Sequence, residues 1–543
     1  MLGPPPGPQP ASRRYVFDQD AIHFSGVLSL GELLARVPGV FLVRSGWVGH
    51  AEAVSYAGQG PGSVELYWDG YALDPMGLDS AGFDLGRFDL GTLRRVEVEA
   101  LPTVLRVYLV TDAAGPRRAR TEASFGTGDA STNSYRLRYL NRWRGGTGIG
   151  IGATFNSTSG PAIASAGVSQ LNLWVKGTWM PSDRVGVEYQ VSSYGLQRDA
   201  LLPSAADAAS PEIPAANVRR TDMFVRAFGA TRLDGTGLRF DAELGSSSYS
   251  DTTHVLDTLV NQAALDVSYR GRNWSTEAWG RVRDDLTPFD VGSRFAWSPL
   301  RALTLSSAGR RRARFGGGGV SEVSAGLELR PVDVVALHGE LRWRGIADSA
   351  FAVSDTAQRV RDWSGGISYF SRKLTIDATL TRHDPFSTPS LGAFRRQLPG
   401  VVTAGATVTT VSYRYEPWRS FSISGWWSNP SNDSIPFEPK HHALTRFTFE
   451  SRFLPHFRRG VFDFMAQVEI ESWGRGTAGA TSGATLARLP GATVWNYHFQ
   501  FRLVGAIVYW TMRNALFQRY ALVPGFQSPR GISRFGVRWE FTN

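Results

Sequence analysis

Residues 531–543 read GISRFGVRWEFTN, and this stretch decides the fold. Phe535, Val537, Trp539 and Phe541 alternate with Gly536, Arg538 and Glu540, so a strand here has one aromatic and one charged face. A soluble sheet would bury the aromatic face beneath a second layer. A membrane barrel turns it to lipid instead.

The same alternation recurs upstream, back to about Ala119. Leu238, Phe240, Ala242 and Leu244 share a face opposite Arg239, Asp241 and Glu243. Leu337, Leu341 and Trp343 oppose His338, Glu340 and Arg342; Tyr497, Phe499, Phe501 and Leu503 oppose Asn496, His498, Gln500 and Arg502. A row of carboxylates and guanidinium groups implies an interior that is wet or internally paired, because an unpaired buried charge is costly. The connections alternate in length. Short ones include LDGTG (233–237), RGRN (270–273), SRK (371–373) and VGA (504–506); long ones include 198–217, 383–398, 428–441 and 473–491. Outer-membrane barrels have short periplasmic turns and longer outer loops, and the pattern predicts ~22 antiparallel strands over residues 119–543.

Composition agrees. The chain has 543 residues, 42% hydrophobic, with mean hydropathy −0.19, and no apolar run reaches the ~18–20 residues of a membrane-spanning helix. Its 17 Trp, 17 Tyr and 31 Phe suffice for aromatic girdles at two interfaces. There is no cysteine, which excludes disulfides and thiol catalysis. The net charge of +10 rests on arginine, with lysine only at Lys176, Lys373 and Lys440. The arginines are spread through strands and turns, so lumen lining and lipid-headgroup contact are expected, and nucleic-acid binding is not.

The N-terminal part reads differently. Residues 1–14 are a Pro-rich leader, expected to be extended, without the apolar stretch of a signal peptide; the signal is expected to be missing from this sequence. Residues 15–116 are expected to form a small α+β domain. Ser29 to Glu32 is a capping box ahead of Leu33, Leu34 and Val37, and Pro38-Gly39 stops the helix. Strands are expected at 41–43, 63–68, 94–98 and 104–110, with a turn at Asp69-Gly70.

With these segments in view, the chain resembles the TonB-dependent outer-membrane receptors. LGELLARVPGVFLV, VELYWDGYAL and LRRVEVEALP follow the family's plug order, and Asn514, Phe517, Tyr520, Gly531 and Phe541 stand in its C-terminal signature. The resemblance implies an all-β transmembrane protein of the cell outer membrane: a barrel of about 22 strands with the α+β plug in its lumen. It also implies a TonB-type inner-membrane energy coupler, the barrel-assembly machinery, and outer-membrane lipid and lipopolysaccharide as partners. The chain departs from the family pattern at Ala57 and Ala100, where arginines are usual, and no TonB box precedes Tyr15. The wall opposite these alanines is therefore expected to carry no unpaired carboxylate.

No catalytic constellation, metal site or cofactor motif is recognised, and an enzyme is not expected. Adjacent His441 and His442 point to opposite faces of a strand and are expected to be loop surface. Gly316 to Gly319 reads as an outer hairpin tip. In the family, plug apices contact ligand, which implicates Trp47, His50, Tyr56 and Tyr71; packing against the wall is the competing reading. Arg94 and Arg95 are expected to hold the plug to the barrel. The expected function is uptake of a scarce, bulky solute such as a metal chelate (a siderophore). The alternative is a transport-inactive plugged barrel serving as a surface or assembly component.

Overall fold

The computed structural model describes residues 14–542 except 47–48, 78–81, 113–117, 161–165, 205–211, 285–286, 314–318, 348–357, 389–400, 404, 432–437, 454–461 and 478–487. Trp47 and most of the 316–319 glycine run lie outside the described residues.

Twenty-two strands, from Arg120–Gly128 to Ile532–Thr542, close into one antiparallel barrel. Each strand pairs with its sequence neighbours. The last closes onto the first, from Arg534 opposite Gly128 to Thr542 opposite Arg120. Both ends therefore lie on one rim, which also has the tight turns between Ser182 and Val185, Val332 and Val335, and Leu503 and Ala506. The connection between Ser451 and Phe462 is a longer one on that rim.

Alternation sets inside and outside as the sequence implies. Leu337, Leu341 and Trp343 are 41%, 42% and 44% exposed, whereas His338 and Arg342 are 5% and 3% exposed. On the closing strand Phe535, Trp539 and Phe541 face out while Arg534 and Arg538 are buried. An exposed apolar band around a closed sheet suits lipid; the closed sheet leaves no backbone edge unpaired.

Inside sits the N-terminal domain. Its sheet runs Arg14–Asp18, Leu93–Ala100, Leu105–Thr111, Val64–Trp68, Tyr71–Ala72 in spatial order. Ser29 caps the short helix Leu30–Leu34: its hydroxyl accepts the Glu32 N–H at 3.2 Å, and the Glu32 carboxylate accepts the Leu28 N–H at 2.8 Å. Gly39, at φ +77°, makes the left-handed step that leads into the hairpin Val40–Arg44 and Glu52–Tyr56. Leu30, Leu33, Val37, Val96, Val98, Leu105 and Val107 form the core, joined by Leu140, Trp174 and Phe224 of the barrel wall. On that sector the plug and barrel cores are continuous.

Candidate functional site at the plug–barrel interface

The expected apical residues do not form one open pocket. His50 is 1% exposed, and neither ring nitrogen has a hydrogen-bond partner among the described residues. Burial, helped by Arg198 and Arg44, pulls its imidazole down to about 3, so it is neutral. Tyr56 is half-buried and opposite Val40 in the hairpin. Tyr71 stacks on Phe224 of the wall at 4.9 Å and 5°, with its hydroxyl 3.4 Å from Ser247. Packing against the wall describes Tyr71 better than ligand contact.

Arg94 and Arg95 require a correction. Arg94 lies 3.9 Å from Asp112 and Arg95 lies 2.7 Å from Glu97, both partners within the N-terminal part. Both arginines are close to the periplasmic rim, where solvent competes for them.

The plug is instead held by contacts of the opposite charge sense. Carboxylates on the plug meet guanidinium and ammonium groups on the wall. Glu32 accepts two hydrogen bonds from Arg513, at 2.5 and 2.7 Å. Asp69 receives Lys176 at 3.2 Å, and Lys176 also reaches Glu188 at 3.3 Å and Thr111 at 3.0 Å. Asp74 meets Arg283 at 2.9 Å, Asp89 meets Arg136 at 3.3 Å, and Glu99 meets Arg294 at 3.5 Å. Arg36 on Glu469, at 3.3 Å, has the reverse sense. Burial works to raise the Glu32 carboxyl, but Arg513 and Arg44 outweigh it and bring it down to about 2. Asp69 is likewise lowered, with Lys176 overcoming its burial.

One sector is open. A cavity of about 600 Å³ lies between the plug sheet and the wall strands from Ala216–Ala230 to Val335–Ala347. It opens at the short-turn rim around Leu233 to Gly237, and its wall is built largely of small residues such as Ser268, Ser275, Ser306, Ala308 and Gly326. Two of its lining arginines, Arg106 and Arg310, hold Glu65 of the plug. The carboxylate accepts from Arg310 at 2.7 Å and Arg106 at 3.1 Å, with Arg312 at 3.8 Å. Arg310 in turn grips Asp290 at 2.6 and 2.7 Å. Beside them Tyr67 and Tyr108 stack at 5.0 Å, and Arg281 covers the Tyr67 ring at 5.3 Å.

The two departures at the alanines differ. Around Ala100, the carboxylates are paired: Glu99 with Arg294, Glu322 with Arg342 at 2.8 Å, and Asp362 with Arg344 at 2.8 Å. Beside Ala57 the neighbouring acid is of another kind. Ala57 and Gly58 turn in the left-handed region, at φ +50° and +71°. Glu438 of an outer loop is buried against the Gly58 backbone N–H, and its Oε2 has no partner among the described residues. Burial pushes its carboxyl up to about 8, so it is protonated at neutral pH.

His442 is also corrected. It begins the strand His442–Ser451, is 2% exposed, and pairs with Glu471 at 2.8 Å. Its ring meets Phe41, Trp426 and Trp473 edge-on. The C-terminal motif residues shape the last outer loop. Asn514, at φ +48°, donates to Gln518 O at 2.8 Å and accepts the Gln518 N–H at 3.0 Å. Tyr520 packs edge-on against Trp473, the Phe517 ring lies against Gly531, and Phe541 faces lipid.

A plug seated in a closed 22-stranded barrel defines the class: this is a plugged outer-membrane β-barrel. Residues 9–104 match the family model described as TonB-dependent Receptor Plug Domain. The chain thus carries a domain of the TonB-dependent receptor plug type inside a 22-stranded barrel. Its fold is similar to that of the siderophore receptor PirA from Acinetobacter baumannii, with TM-score 0.74, 10% identity, and 97% of this chain and 98% of that one covered. A mutant of the ferric enterobactin receptor PfeA from Pseudomonas aeruginosa matches at TM-score 0.73 and 11% identity, covering 97% and 98%. The copper transporter OprC matches at 0.72 and 12%, covering 98% of each. No curated protein matches the chain significantly.

Proposed function

We propose that the protein takes up a scarce, bulky solute, a metal chelate such as a siderophore being the leading class, and that a TonB-type coupler supplies the energy. A plugged barrel does not leak, and the outer membrane holds no nucleotide or ion gradient to move the plug. The observation that supports this reading is the cavity between plug and wall, two of whose lining arginines, Arg106 and Arg310, hold Glu65 of the plug. Polar contacts, rather than a continuous apolar core, join plug and wall there. Water can take over such polar contacts when the plug is pulled, which it cannot do for a packed apolar core. The likeness to siderophore and copper proteins agrees with the substrate class.

The test is accumulation of radiolabelled iron under iron limitation in cells with and without the gene, with and without a protonophore. Uptake that needs both the gene and the proton gradient supports the reading. Gene-independent uptake for every chelate offered would favour a plugged barrel that serves the membrane surface instead. The plug's many buried ion pairs are the feature consistent with that second reading.

A further inference from the structure

On the lipid face, the outer rim of the barrel is set mostly with neutral polar side chains, among them Ser157, Gln197, Ser250, Thr407 and Ser472. One sector departs from this. The strands Leu303–Ala313, Gly319–Val332, Val335–Ala347, Gln358–Phe370 and Leu374–His383 are consecutive in the barrel. Near their outer ends they present Arg311, Arg359, Arg361 and Arg382.

Strand alternation fixes where these four point. Arg310 and Arg312 face inward to Glu65 and Glu322, so Arg311 faces out. Asp362 and His383 are fully buried on the lumen side, so Arg359, Arg361 and Arg382 face out. All four are exposed, and among the described residues none has an ion-pair partner.

The register arranges them around a notch. Arg311 is opposite Ser321, Ser321 opposite Gly345, and Gly345 opposite Arg359. Two arginines thus stand three strand spacings apart, ~14 Å, over a floor of two small residues. Arg361 is opposite Trp343 and Arg382 opposite Trp363, deeper along the strands. Indoles of this kind sit at the interfacial layer, which puts the guanidinium groups at headgroup level. Arg219, on the same face of another sector, has an acid in its own row: it is opposite Ser250, which is opposite Asp257. The carboxylate beside the four-arginine sector, Asp384, accepts the Arg361 backbone N–H at 3.0 Å.

Four unpaired guanidinium groups at the edge of a hydrocarbon layer need anionic acceptors, and phosphate takes their forked geometry best. We propose that Arg311, Arg359, Arg361 and Arg382, around the Ser321–Gly345 floor, bind the phosphate-bearing headgroup of an outer-leaflet lipid. The two ends of the notch suit a headgroup with two phosphates.

The test is binding of diphosphoryl lipid A, monophosphoryl lipid A and inorganic phosphate to the full-length protein in mild detergent. The variants are Arg311→Gln/Arg359→Gln/Arg361→Gln/Arg382→Gln, the two-site variant Arg359→Gln/Arg361→Gln, and Arg219→Gln. Heat-modifiable gel mobility shows that each is a folded barrel. The expected result is that diphosphoryl lipid A binds best, that its affinity falls about tenfold or more in the four-site variant and less in the two-site variant, and that Arg219→Gln leaves it unchanged. Should the four-site variant fail to fold, a loss in the two-site variant with none in Arg219→Gln carries the result. Unchanged binding in the folded multi-site variants overturns the proposal. So does an equal loss in Arg219→Gln, or inorganic phosphate displacing the lipid at equal concentration.

Discussion

Glu65, on the plug strand Val64–Trp68, accepts a hydrogen bond from Arg310 of the barrel wall at 2.7 Å, and Arg310 also holds Asp290 of the neighbouring strand. Burial works to raise the Glu65 carboxyl, but Arg310, Arg106 and Arg312 hold it well below the usual carboxylate range. This is the clearest case of a general polarity: plug acids on wall bases. Arg310 and Arg106 also line the open cavity. Glu65→Leu leaves Arg106, Arg310 and Arg312 short of an acceptor, at a cost of about 1–3 kcal/mol. The expected outcome is a larger basal ion conductance in planar bilayers than for wild type, with the barrel still folded.

Lys176 of the wall bridges Asp69 and Glu188, and all three are almost wholly buried; Arg226 also approaches Glu188, at 3.6 Å. Lys176→Met takes the paired cation from buried Asp69 and leaves Glu188 with Arg226, and the expected cost is about 3–5 kcal/mol. Urea titration followed by limited proteolysis of the plug should show that loss. A midpoint unchanged from wild type would mean that the plug does not depend on this contact.

Acid and base act on different contacts. The Glu32 carboxyl is depressed from 4.5 to about 2, so its stabilisation is complete above the unfolded value and is lost as pH falls toward 2. Glu438 is raised from 4.5 to about 8, so its docking on Gly58 is strongest below 4.5 and weakens as pH rises through 8. Hydrogen exchange at the Gly58 amide should therefore speed up between pH 5 and 8 beyond the intrinsic base-catalysed increase. Glu438→Gln, which stays neutral, should remove that excess.

The two faces of the wall differ in what they tolerate. Leu341→Arg on the lipid face should cost ~2–4 kcal/mol near the bilayer midplane. Gln500 and Arg342, which the sequence marks as lumen positions, are not permissive, because Gln500 is 2% exposed and Arg342 donates to Glu322 and Thr103. Ser306→Lys, in the open cavity, should cost much less. Refolding titrations compare the three sites.

How far the sequence reaches follows from which contacts are local. Strand alternation is a two-residue signal, so the barrel, its even parity and its facing were readable from rows such as Leu337 to Trp343. The Ser29 cap and the Asp69-Gly70 turn were readable for the same reason. Arg14–Asp18 joins the plug sheet only through Leu93–Ala100, a partner far along the chain, and was not readable. Nor was the pairing of Glu65 with Arg310, since nothing local tells which wall strand faces which plug strand. His442 lies in a region that reads as loop, and only the approach of Phe41, Trp426 and Trp473 makes it core. One signal for the interface was present: inward arginines recur on the wall while acids recur on the plug, at Glu32, Glu65, Asp69, Asp74, Asp89 and Glu99.

The plug is expected to yield first at the Glu65–Arg310 contact, beside the open cavity. The chain has no cysteine, so paired cysteines can be placed freely. The most direct measurement is single-channel conductance in planar bilayers under mild urea. It compares Glu65→Cys/Arg310→Cys with Glu32→Cys/Arg513→Cys, each joined by a short bis-maleimide. The link at Glu65 and Arg310 is expected to abolish urea-induced openings, while the link at Glu32 and Arg513 leaves them. Openings that persist with the first link and vanish with the second would contradict it.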